Sequence, residues 1–133
     1  MVPIAHTTPL RSGHTSYVMR RFELQSFLRN VERYQISELF LVPPIVNSII
    51  NSSLKNAYSM RSVQWGSIGG APLDTASQAK LNALIHPHGK ISSAWGMTEC
   101  TCLGTTLYWP ELDTTGSIGR FLPNLEVKYD SSG

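Results

Sequence analysis

The stretch Val63-Gln64-Trp65-Gly66-Ser67-Ile68-Gly69-Gly70-Ala71-Pro72-Leu73-Asp74 decides the fold. Val63 to Ile68 reads as a strand, rich in β-branched and aromatic residues and closed by Gly69-Gly70. Pro72 stiffens the exit. Asp74 is placed to cap a helix running to about Leu84, with Ala76, Ala79, Leu81, Ala83 and Leu84 on or near its buried side. Strand, glycine turn and capped helix form the unit from which parallel sheets are assembled.

The same alternation extends to both sides. Upstream, Leu24, Phe27, Leu28, Val31 and Tyr34 mark one face of a helix over Phe22 to Tyr34. Glu23 stands in its first turn, where the helix dipole favours a carboxylate. Ile36 to Val42 reads as a strand stopped by Pro43-Pro44, followed by a short helix over Ile45 to Asn51. Downstream, Lys90 to Trp95 is a strand broken by Gly96, Leu103 to Tyr108 a fourth, and Leu125 to Tyr129 a last one. The expected fold class is α/β, a largely parallel sheet flanked by helices. Ligands of such sheets bind beyond the carboxyl ends of the strands. Two glycine-bearing turns stand at such ends here, Gly69-Gly70-Ala71-Pro72 and Gly96-Met97-Thr98-Glu99.

Composition narrows the function classes. A chain of 133 residues makes one domain, and only 15% of it is charged, which suggests apolar surface presented to neighbouring parts. The net charge is +2, and Arg20-Arg21, the only adjacent basic pair, reads as a solvated strand end. Nucleic-acid binding therefore has little support, and no nucleic-acid partner is expected. No apolar run is long enough to span a membrane, and Met1-Val2-Pro3-Ile4-Ala5 runs into His6 without a signal-peptide core. Cys100 and Cys102 read as free thiols, which fits an intracellular protein, cytoplasmic or peroxisomal. His86-Pro87-His88 lacks a third ligand and reads as a loop rather than a metal pair.

The two turns carry the candidate chemistry. Small residues at Gly69, Gly70 and Ala71 let the backbone approach a flat or charged ligand, although a plain strand-to-helix turn needs the same residues. Trp95 can stack on a base or pack against a ribose, and Gly96 leaves room beside it. Thr98 offers a hydroxyl to a phosphate oxygen, and Glu99 is a hard oxygen ligand for magnesium. Each residue alone has an ordinary structural reading. The set in this order points to a nucleotide.

Ser93-Ala94-Trp95-Gly96-Met97-Thr98-Glu99 resembles the adenylation motif of the adenylate-forming superfamily, which includes acyl-CoA synthetases and 4-coumarate–CoA ligases. Trp95 stands where that motif usually has Tyr. Four further stretches match in order: Pro3-Ile4-Ala5-His6, Val42-Pro43-Pro44-Ile45-Val46, Gly69-Gly70-Ala71-Pro72-Leu73, and Thr115-Gly116-Ser117-Ile118-Gly119-Arg120 with Pro123. The resemblance implies activation of a carboxylic acid by ATP to an acyl-adenylate and transfer to coenzyme A. It implies Thr98 on the α-phosphate and Glu99 on Mg2+ as catalytic groups. It implies an adenine slot of Gly69, Gly70, Ala71, Ser93, Ala94 and Trp95, and an acid pocket of His6, Gly96 and Met97, with Cys102 and Leu103 further along its wall.

The family's phosphate loop, its ribose-binding Thr-Gly-Asp segment and its C-terminal domain with the catalytic Lys have no counterpart among these residues. The expectation is that residues 1–133 are part of the large N-terminal domain, associate with the rest of it, and do not complete the reaction alone. The alternative is a truncated non-catalytic pseudoenzyme or interaction module.

Overall fold

A computed structural model describes residues 2–108, 111 and 113–128, with backbone only for 2–6. Helix α1 spans Val2–Ser12 and α2 spans Leu24–Arg33. Strand β1 (Glu38–Leu41), helix α3 (Pro43–Asn51), strand β2 (Trp65–Ile68), helix α4 (Thr75–Asn82) and strand β3 (Lys90–Ser93) follow. A short antiparallel pair, β4 (Thr105–Thr106) and β5 (Arg120–Phe121), lies beyond them.

β1, β2 and β3 form a parallel sheet in that order, with Leu41, Ile68 and Ser93 in register at its carboxyl end. Two successive crossovers place α3 and α4 side by side. The register puts Leu39, Leu41, Ile68 and Ile91 on one face of the sheet, and all four are buried in one cluster with Val46 and Ile49 of α3 and Leu81 of α4. Leu28 and Val31 bring α2 into the same cluster. Each fully buried aliphatic side chain contributes about 1.5–3 kcal/mol relative to an exposed one. The opposite face carries Phe40, Trp65 and Ser67, where the Phe40 and Trp65 rings meet edge to face with centroids 5.9 Å apart.

Local chemistry sets the boundaries. Asp74 caps α4 by accepting a hydrogen bond from the Ser77 N–H at 2.8 Å. Glu23 is the cap of α2 rather than a first-turn residue, its two oxygens accepting from Gln25 N and Ser26 N. At the other end of α4, the Asn82 amide pairs with both the N–H and the C=O of Ile91, at 2.9 and 3.1 Å. It thereby closes one edge of the end strand β3.

Other features differ from the sequence-based expectations. The N-terminal residues, assigned no element above, form α1. Pro43 and Pro44 open α3 instead of preceding it, because the first helical turn has no use for their missing N–H groups. β3 stops at Ser93, and Trp95 instead bridges to Thr105 in the antiparallel sense. Leu125 to Lys128 is irregular: its strand-like composition finds no pairing strand among the described residues, and propensity without a partner does not make a strand. Tyr129 lies outside the described residues.

Replacing Asn82 with Ala should leave two backbone groups of β3 unpaired and lower unfolding free energy by about 1–3 kcal/mol. Urea denaturation with an unchanged slope would report it, and an unmoved midpoint would remove Asn82 from the account.

Candidate functional site

Both glycine turns open at the carboxyl end of the parallel sheet, and two clefts meet there. The larger, about 540 Å³, is lined by Phe40, Val42, Ser67, Gly69, Gly70, Ala94 to Thr98, and Thr101 to Leu103. The smaller, about 300 Å³, is lined by Gly70 to Leu73, Ser93 to Gly96, Gly116 and Ile118. Gly70, Ala94, Trp95 and Gly96 belong to both, so they form the wall between them.

Backbone pairing fixes that wall. The Trp95 carbonyl accepts from Gly104 N at 2.8 Å and from Thr105 N at 2.9 Å. The Trp95 N–H donates to Thr105 Oγ1 at 3.1 Å. The chain returns so closely that a Cβ on Gly96 would stand 1.8 Å from the Cys102 carbonyl oxygen. A Cβ on Gly104 would stand 2.6 Å from the Trp95 ring. Between them the chain makes a 3-10 turn at Thr98–Cys100. Thr101 and Cys102 then take positive φ of 59° and 92°. A β-branched residue in that region is held by its surroundings at a cost.

The sequence-assigned residues sort as follows. Gly70, Ala71, Ser93, Ala94 and Trp95 line the smaller cleft together. Gly69 lines the larger one instead, because it precedes the positive-φ Gly70 that turns the chain. Ser93 is buried and its hydroxyl hydrogen-bonds Gln78 Oε1 of α4 at 3.3 Å, so its side chain serves the helix side of the sheet. Gly96, Met97, Cys102 and Leu103 line the larger cleft as a group. Thr98 opens onto that cleft as well, and Glu99, next along the turn, is exposed. His6 lies in α1, and its side chain falls outside the described residues. Among the described residues no cluster of three His, Cys, Asp or Glu side chains gathers for a metal. Glu99 would be a lone carboxylate, the donor set that suits a magnesium ion held largely by phosphate oxygens. No helix among them is long and apolar enough to cross a membrane.

The sequence reading missed Phe40 and Ser67 of the larger cleft, and Gly116 and Ile118 of the smaller. It also missed Asp113, whose carboxylate accepts from Thr115 Oγ1 at 2.6 Å, Thr115 N at 3.2 Å, and Gly116 N and Ser117 N at 2.7 Å each. These bonds hold the loop that brings Gly116 and Ile118 to the cleft. The signal was present: Asp followed by Thr-Thr-Gly-Ser is an Asx-type turn. The Thr115 hydroxyl first, then the backbone N–H groups, hold the Asp113 carboxyl below the ordinary aspartate range.

Comparison with known proteins shows the family and the fold. The family model described as AMP-binding enzyme matches residues 4–130. An acyl-CoA synthetase of Alternaria alternata is 44% identical over 127 residues, covering 96% of this chain and 22% of its own length. A phenylacetyl-CoA ligase of Aspergillus niger is 42% identical over 128 residues, covering 95% of this chain and 24% of its own length. The chain thus spans about a quarter of the length of these relatives. A long-chain-fatty-acid-CoA ligase from Archaeoglobus fulgidus superposes with a TM-score of 0.74 at 24% identity, over 86% of this chain and 24% of that one, and shares its fold.

A carboxyl with a lowered folded-state pKa stabilises the structure above its unfolded pKa, and that contribution is lost as pH falls through the folded value. The Gly116 and Ser117 amide resonances should therefore titrate with a midpoint below the ordinary aspartate range. A midpoint within or above that range would contradict the Asp113 clamp.

Proposed function

This chain belongs to the AMP-binding enzyme family, and from that premise we propose that it supplies the nucleotide and acid clefts of an acid–thiol ligase. In this reading the enzyme activates a carboxylic acid with ATP and passes the acyl group to coenzyme A. The observation that carries it is the pair of clefts meeting at one thin wall, Gly70 on one side and Ala94-Trp95-Gly96 on the other. An acyl-adenylate joins a flat base and ribose to an acyl group through one phosphate. A site for it needs two compartments that meet where the phosphate lies, with a phosphate donor at the junction.

The smaller cleft takes the adenosine. Its glycine and alanine walls let the base lie against backbone, and the Trp95 ring offers a flat surface. The larger cleft takes the acid, since Phe40, Val42, Ala94, Met97 and Leu103 give it a mainly apolar lining. Thr98 lines the larger cleft two residues beyond Gly96 of the shared lining, and in this reading its hydroxyl donates to an α-phosphate oxygen. Glu99 holds Mg2+, which supplies neutralising charge to the phosphate oxygens when bound. The chain's own residues thus position the carboxylate against the α-phosphorus, and positioning with electrostatic stabilisation is the main part of such chemistry. Attack there forms the acyl–phosphate bond and releases pyrophosphate, and a thiol then displaces AMP.

Residues 1–133 carry the binding compartments in this reading, and the remaining groups come from other parts of a longer protein. The purified chain should bind AMP yet show no ATP–pyrophosphate exchange. Exchange by the chain alone would refute this division. In the longer protein, Glu99→Ala should slow magnesium-dependent exchange on the order of a hundredfold, and an unchanged rate would remove Glu99 from its role.

A further inference from the structure

Ser67 sits in the middle of β2, in register with Phe40 of β1. It is 2% exposed, and it lines the larger cleft beside Phe40 and Val42. Its hydroxyl oxygen is the one buried side-chain polar atom without a hydrogen-bond partner among the described residues. Buried hydroxyls are normally paired, and one left unpaired calls for an explanation. Ser93, one strand over on the helix face, shows the usual arrangement, with its hydroxyl engaged by Gln78. Phe40, Val42, Met97 and Leu103 of the same cleft carry no strong hydrogen-bonding group, and the Trp95, Thr98 and Thr101 side chains that also line it do not bond Ser67.

We propose that Ser67 selects the acid: its hydroxyl donates to an acceptor on the body of the substrate, so the substrate class is carboxylic acids bearing a ring nitrogen or oxygen acceptor distant from the carboxylate. This rests on the reading of the larger cleft as the acid compartment. An acid with the acceptor satisfies the hydroxyl. An isosteric hydrocarbon acid buries it unpaired, and a site built to pair a polar group discriminates against the analogue that lacks it more sharply than an apolar pocket discriminates by size. Removing the hydroxyl from the protein removes the reason for the preference. Because no described residue bonds that hydroxyl, its removal should leave folding unharmed.

The test is calorimetric titration of the chain, native and Ser67→Ala, with phenylacetate and with its ortho, meta and para pyridyl isosteres. AMP titration and thermal unfolding accompany it. At least one pyridyl isomer should bind the native chain about tenfold more tightly than phenylacetate, a difference of about 1.4 kcal/mol. Ser67→Ala should bring that pair within about twofold, with AMP binding unchanged and the unfolding midpoint equal or higher. A preference that survives in Ser67→Ala overturns the proposal, as does the lack of any pyridyl preference in the native chain. A lowered unfolding midpoint would make the hydroxyl structural and overturn it too. Binding of AMP with no binding of any acid would overturn the assignment of the cleft itself, and the proposal with it.

Discussion

The indole of Trp95 lies so close over Gly104 that any side chain at residue 104 would displace it. The Trp95 carbonyl accepts two backbone hydrogen bonds from the same returning segment. On its other flank, Gly96 is pressed against the Cys102 carbonyl, where even a methyl group has no room. These contacts hold a single layer of chain upright at the end of β3. Everything assigned to the site depends on that layer staying thin and fixed. A looser loop would merge the two clefts into one opening with no defined place for a phosphate.

The rest of the fold delivers this wall to its position. Parallel pairing of β1, β2 and β3 brings the ends of β2 and β3 side by side, so the Gly69-Gly70 turn stands beside the Ala94 to Gly96 segment and both line the clefts. The crossovers that parallel pairing demands put α3 and α4 on one face, where they bury the aliphatic core. The opposite face is left to Phe40, Trp65 and Ser67, and Phe40 and Ser67 line the larger cleft. The core and the larger cleft therefore occupy opposite faces of β1 and β2. Alternation along β2 makes the division: Ile68 goes into the core and Ser67 into the cleft.

Much of this was legible in the sequence, and the reason is local. Strand β2, its glycine turn and the Asp74-capped helix need only neighbours in sequence to declare themselves, as does the α2 periodicity. The pairing of Gly69-Gly70-Ala71 with Trp95 to Glu99 was inferred from two turns at strand ends, and parallel register brings them together. What stayed hidden depends on contacts far apart in the chain. Gly69 and Ser93 share a motif with their neighbours, yet the turn sends Gly69 to the other cleft and the pleat sends the Ser93 side chain to Gln78. Ser67 received no role in the sequence, and its register with Phe40 shows which face it occupies. The Leu125 to Lys128 segment had strand composition but pairs with no strand among the described residues. Asp113 lay in a stretch read only as a motif, although its turn chemistry was readable.

The account's central claim is that one wall separates two compartments that a single acyl-adenylate bridges. Competitive titration of the chain with AMP, phenylacetate and a non-hydrolysable acyl-sulfamoyl adenosine tests this most directly. The account predicts that AMP and the acid bind together without competing, and that the joined analogue displaces both. Mutual exclusion of AMP and the acid, or displacement of only one of them by the analogue, would contradict it.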